Sequence, residues 1–146
     1  MKYPATFTPA DEGGFVVTFR DIPEAITQGD DEAEALDMAA DVLLSSMEFY
    51  FEDKRQVPPP SKPEAGERLI ALPLSVAAKI LLLNRMIERN VRAADLARMM
   101  GIKPQEVNRL IDLNHSTKID TLALAMLAMG CELELTFNDN SYALAA

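Results

Sequence analysis

Residues 52–67, EDKRQVPPPSKPEAGE, set four prolines in a polar stretch. Proline lacks a backbone N–H and fixes φ, so this segment holds neither a helix nor a central strand and favours extended backbone. The chain must therefore fold on two sides of it. Either two domains are joined here, or a helix is connected to a strand that returns to the first domain. The two sides also differ in charge. Residues 1–66 carry 5 basic and 14 acidic side chains, whereas residues 67–146 carry 9 of each, so the whole formal charge of -9 belongs to the first side.

Upstream of the prolines, YPATFT and GGFVVTFR predict paired strands. Phe15, Val17 and Phe19 alternate with Val16, Thr18 and Arg20, the period expected of a sheet with one buried face. PADEGG supplies the turn, and DIPEAITQG predicts a bend and a short third strand. DDEAEALDMAADVLLSSMEFYF has helical spacing, with Leu36, Ala40, Leu43, Leu44, Met47 and Phe51 as its apolar positions. Asp31 and Glu34 form a cap signature at its start. ERLIALP predicts a fourth strand. The fold class expected is α+β, with residues 1–72 forming a three-stranded sheet, a helix and a returning strand, the proline-rich connection at 53–66 included.

Residues 73–146 read as helical. LSVAAKILLLNRMIERN, AADLARMM, PQEVNRLIDL and TKIDTLALAMLAM predict four helices, with glycine stops at Gly101 and Gly130 and Pro104 tolerated in a first turn. CELELTF then alternates Leu133, Leu135 and Phe137 with polar residues, predicting a C-terminal strand with no mate in this half. Its partner is expected from another subunit, which makes these three residues the candidate contacts for self-association.

DLARMMGIKPQEVNRLIDL reads as a helix-turn-helix. Leu96, Ala97 and Met100 face inward, Gly101 permits a left-handed turn, and Ile102, Val107 and Leu110 lock the second helix. Lys103, Gln105, Glu106, Asn108 and Arg109 are left outside. Asn and Gln suit bidentate bonds to adenine and Arg to guanine. Ser116, Thr117 and Lys118, in the following loop, are placed to meet phosphates. Residues 79–118 hold 8 basic against 4 acidic side chains, so the candidate DNA reader is locally positive within an acidic chain. A plain helical bundle with a solvated polar face is the competing reading.

Other chemistries find less support. The first two predicted strands bear no carboxylate, and the acids gather in turns and along one helix, which suits a basic partner better than a pair of catalytic metals. His115 is the single histidine and lacks a marked nucleophile and orienting acid. Cys131 is the single cysteine, which excludes an internal disulfide or a cysteine metal cage. No cofactor, metal site or enzymatic activity is expected. The start MKYPATFTPADEGG lacks the apolar core of a signal peptide, and no run reaches the ~18 apolar residues of a membrane span, so a cytoplasmic protein is expected.

The segments YPATFTPADEGGFVVTF, DIPEAITQGDDEAEAL and FYFEDKRQVPPPS resemble the HicB antitoxin family. PLSVAAKILLLN, LARMMGI and HSTKIDTL resemble its branch with a C-terminal helix-turn-helix. The resemblance spans about residues 1–137. It implies a degenerate RNase H-like first domain and a type II antitoxin. Such a protein binds a HicA-type toxin, a small basic mRNA interferase, and with it represses its own operon at operator DNA. There are two departures. RNase H enzymes place an aspartate in the first strand and YPATFT has none, which implies that nuclease activity is absent. Many repressors of this class start the motif's first helix with a phosphate-binding Gln; that position is Ala93 here, leaving Arg92 or Lys118 to compensate. The alternative function is a ligand-responsive repressor without a toxin partner.

Overall fold

The computed structural model describes residues 1–139. Strands β1 (Lys2–Pro9), β2 (Phe15–Phe19) and β3 (Ile26–Gly29) precede the long helix α1 (Glu32–Asp53), and β4 (Arg68–Ala71) follows the proline-rich connection. These strands make one four-stranded sheet in the order β3-β2-β1-β4, antiparallel throughout. Strand alternation puts Tyr3, Ala5, Val17 and Phe19 on the buried face and Thr6 opposite Thr18 on the exposed one. The fourth strand pairs Ile70 with Tyr3. The expected α+β first half, with three strands, a helix and a returning strand, is therefore present.

Two glycine motifs have a common physical cause. The β1–β2 turn closes with Gly13 N–H donating to Ala10 O and Ala10 N–H to Gly14 O, both at 3.0 Å. Gly14 has φ +74°, and a Cβ there would overlap the Gly29 carbonyl oxygen. A Cβ at Gly29 would in turn overlap the backbone N and Cα of Ala35. The double glycine and the TQGD glycine thus allow the β1–β2 turn, the end of β3 and the first turns of α1 to approach one another without side chains between them.

The helix begins where Asp31 Oδ1 accepts from the N–H of Glu34 at 2.8 Å. It ends at Lys54, whose φ of +53° is left-handed. Its buried positions are Ala35, Ala39, Leu43, Ser46, Met47, Tyr50 and Phe51. The spacing predicted Leu36, Ala40 and Leu44 inside, and all three are exposed. Leu43, Met47 and Phe51, predicted with them, are buried. At the start of the helix the inward position is Ala35, because the close approach of Gly29 leaves no room there for a larger side chain.

The proline-rich connection is fastened along its length. Tyr3 donates its hydroxyl to Pro58 O at 2.8 Å. Asp21 accepts from Ser61 N–H at 2.8 Å and from Ser61 Oγ at 2.6 Å. Arg20 makes a two-pronged bond to Glu67, at 2.9 and 3.0 Å, and donates to Lys62 O.

Helices α2 (Leu74–Glu88), α3 (Ala93–Met100), α4 (Pro104–Leu110) and α5 (Ile119–Ala128) complete the chain. The four expected helices are present, with α4 ending three residues short of Leu113. Helix α2 buries Val76, Ile80, Leu82, Leu83 and Met86. One apolar core runs from Tyr3 and Val17 through Leu43 and Val57 to Ile80, Leu96, Val107 and Leu122.

The expected C-terminal strand is not formed: among the described residues, 131–139 pair with no strand. Leu133 is half-buried, while Leu135 and Phe137 are 86% and 87% exposed. A strand exists only where a neighbour accepts its backbone bonds, and the described residues of one chain supply none to CELELTF. No helix among the described residues is long and apolar enough to cross a membrane.

Candidate nucleic-acid interface

The pair α3–α4 is built by local bonds. At the start of α3, Asp95 accepts from the N–H of Arg92 at 3.0 Å and also pairs with the Arg92 and Arg98 guanidinium groups. These bonds, the Arg92 backbone N–H foremost, hold the Asp95 carboxyl below the usual aspartate range. The helix stops at Gly101, whose φ of +69° is left-handed, and Ile102 N–H then closes onto Ala97 O at 3.0 Å. Lys103 is extended, Pro104 starts α4, and Val107 and Leu110 pack into the core with Leu96 and Ala97.

The outward residues are those the periodicity left over. Lys103, Gln105, Glu106, Asn108 and Arg109 are exposed on α4 and its N-cap, and Ser116, Thr117 and Lys118 are exposed or half-buried in the next loop. Glu106, Arg109 and Thr117 line one groove of about 580 Å³ with His115 and the apolar Met99 and Leu124. Ser116 and Thr117 border a second recess beside α2. Lys103, Gln105, Asn108 and Lys118 line neither.

The eight cations of residues 79–118 separate into two groups. Arg85 pairs with Glu88, and Arg92 and Arg98 pair with Asp95. Arg89 donates to Met129 O at 3.2 Å. Lys79 is buried, its ammonium donating to the carbonyls of Arg109, Asp112 and His115 at 3.2, 2.6 and 2.5 Å. Among the described residues, the three left without a carboxylate or carbonyl partner are Lys103, Arg109 and Lys118. All three lie on the segment that bears the candidate DNA contacts. Of the two candidates to replace a clamp at Ala93, Arg92 is engaged by Asp95 and Lys118 is not.

Lys79 corrects the charge count. Sequence reasoning included it in the positive surface, whereas it sits inside, closing the C-terminal end of α4 and holding the loop after it. Burial pulls its ammonium below the ordinary lysine range, against the opposing pull of Asp112. The missed signal was a single cation within VAAKILLL, where only a residue with dedicated buried acceptors can stand. Asn84 was missed as well: its side-chain amide both accepts from and donates to the backbone of Val57, at 2.8 and 2.9 Å.

Among the described residues no group of three or more His, Cys, Asp or Glu side chains gathers to hold a metal ion. Asp21, two residues beyond β2, has both oxygens engaged by Ser61.

Comparison with known proteins gives one consistent family. Residues 2–81 match the family described as HicB_like antitoxin of bacterial toxin-antitoxin system. Antitoxin HicB of Escherichia coli (strain K12) is 50% identical over 135 residues, covering 92% of this chain and 98% of that protein. Antitoxin HicB 2 of Photorhabdus laumondii is 51% identical, covering 92% and 95%. Antitoxin HicB of Pseudomonas fluorescens is 33% identical, covering 86% and 87%. The family match takes in the sheet, α1 and the first part of α2, and the relatives extend through the α3–α4 pair, so this chain belongs to the HicB-like antitoxin family of bacterial toxin–antitoxin systems.

Proposed function

We propose that the chain neutralises a HicA-type mRNA interferase with residues 1–72 and represses its own operon with residues 73–146. In this reading the first half is a degenerate RNase H-like fold that serves as a binding surface and not as a nuclease. The second half is a helix-turn-helix domain in which α4 enters the major groove. The observation that carries the DNA reading is the sorting of cations. Lys103, Arg109 and Lys118 stay free on one outward segment while the other cations near them are bound internally.

One such reader with three free cations makes few phosphate contacts, and binding to DNA depends on their number. Two copies on a two-fold axis would double them and match a palindromic operator with half-sites about one helical turn apart. Leu135 and Phe137, exposed on a segment with strand alternation, favour antiparallel pairing of residues 131–137 across that axis.

Fluorescence anisotropy on the operator, with the full chain, tests this. Arg109→Ala should cost roughly 1–3 kcal/mol and relax the preference at one base position, with toxin binding intact. Removing residues 131–146 should weaken binding more, by separating the two readers, and should shift the mass in sedimentation. Unchanged operator affinity in both variants would remove α4 and the C-terminal segment from these roles.

A further inference from the structure

Helix α1 combines two features that a helix packed on a sheet does not need. It contains seven carboxylates and not one lysine or arginine. Three of the seven have partners: Glu32 with Arg68, Asp53 with Arg55, and Glu48 with the amide of Asn114. Glu34, Asp37, Asp41 and Glu52 are exposed and have no basic partner among the described residues. The same helix leaves Met38, Leu44 and Phe49 exposed, Phe49 by 52%.

At 100° per residue, Glu34, Asp37, Asp41 and Glu52 form a strip between two apolar flanks, Met38 with Phe49 on one side and Leu44 on the other. Met38 and Phe49 are eleven positions apart, so the face extends for about 16 Å along the axis. Unneutralised acid and unburied apolar area occur here on one rigid element, whose opposite side is fixed to the sheet.

We propose that this outward face of α1 is the docking surface for a small basic protein, with Phe49 and Met38 as apolar anchors and Asp37, Asp41 and Glu52 meeting its cations. The inference rests on the toxin reading and assigns it a surface. Charge decides the occupant. A second copy would set like-charged helices against each other, and DNA would be repelled, whereas a cationic protein is steered in and then held by the apolar flanks. The exposed face of the sheet is the natural control, because Thr6 and Thr18 are uncharged and lie on the opposite side of the sheet from α1.

The test is biolayer interferometry between the full chain and a nuclease-inactive form of its cognate HicA-type toxin, the partner of the proposed function, at low and high salt. Asp41→Lys should slow association about tenfold and flatten its salt dependence, because steering is lost. Phe49→Ser should speed dissociation about tenfold, as the loss of a central aromatic anchor does. Thr6→Lys with Thr18→Lys should leave both rates within about twofold. Circular dichroism verifies that each variant is folded, and Met38→Lys replaces Phe49→Ser if that variant is not. Wild-type binding matched by the α1 variants but abolished by the sheet variant overturns this surface and leaves the toxin reading standing. No binding by the wild type overturns the toxin reading, and this surface with it.

Discussion

Asn84 on α2 grips both polar groups of Val57, accepting from its N–H at 2.8 Å and donating to its carbonyl at 2.9 Å. The side-chain amide takes the place a neighbouring strand would occupy beside the proline-rich connection. Val57 itself is buried, so neither group can turn to water instead.

Asn84→Ala should therefore destabilise the fold by about 2 kcal/mol or more, since two buried backbone groups lose their partner and each unsatisfied group costs ~1–3 kcal/mol. Urea unfolding measures this. Because one apolar core spans both sides of the connection, a single transition is expected in wild type, with its midpoint lowered in the variant. Two separated wild-type transitions would contradict the shared core.

Lys79→Met keeps the volume of the stem and removes the donor to three carbonyls at the end of α4. A loss of about 2 kcal/mol is expected, typical of hydrogen bonds to a charged group, offset in part because no ammonium need be desolvated. Operator binding should fall with it, as the loop bearing Ser116, Thr117 and Lys118 loses its anchor. Equal operator affinity in a folded Lys79→Met protein would show that the loop holds its shape unaided.

The acid limb of stability should be carried by Glu24, Glu67 and Asp95. Tyr50 bonds Glu24 at 2.6 Å, Arg20 bonds Glu67, and the Arg92 N–H bonds Asp95, and each bond holds its carboxyl below the usual range. A carboxyl lowered in the folded state contributes stability above its unfolded pKa and loses it as pH falls through the folded one. Thermal melts should be flat near neutrality and decline below about pH 4. Glu67→Gln should shallow that decline; an identical acid limb would rule out the Arg20–Glu67 contact as a contributor.

Tyr3 and Tyr50 should titrate late. Burial pushes both phenols up to about 12, helped by the Asp21 charge for Tyr3 and by the Glu24 bond for Tyr50. Raised phenols contribute stability that is full below the ordinary tyrosine range near pH 10 and is lost as pH rises through about 12. Absorbance at alkaline pH follows ionisation, and circular dichroism shows whether it coincides with unfolding. Ionisation of both near pH 10 in the folded protein would contradict their burial.

What was legible in the sequence depended on whether a local rule settled it. Strand alternation in FVVTF, the Asp31 cap and the Gly101 stop each follow from one residue's own chemistry, and each appears where expected. The inward face of α1 followed only in part: Leu43, Met47 and Phe51 are buried as the spacing predicts, whereas Ala35 turns inward against Gly29, which is near it only in the folded chain. CELELTF has a strand's pattern, but pairing is a property of two segments, and the described residues of one chain hold only one of them. The outward residues of α4 were legible from the 3.6-residue period, yet which cations remain free was not. That depends on Asp95, Glu88 and the carbonyls facing Lys79.

The buried ammonium of Lys79 also sorts the chain's amines by chemical reactivity. Of six lysines it alone is buried, with its nitrogen committed to three carbonyls. An acylating reagent in solution meets Lys103 and Lys118 at once, whereas Lys79 must first leave its acceptors. Its acylation marks molecules in which the end of α4 has come open, so the slow appearance of that one tagged peptide becomes a clock for the breathing of the C-terminal half.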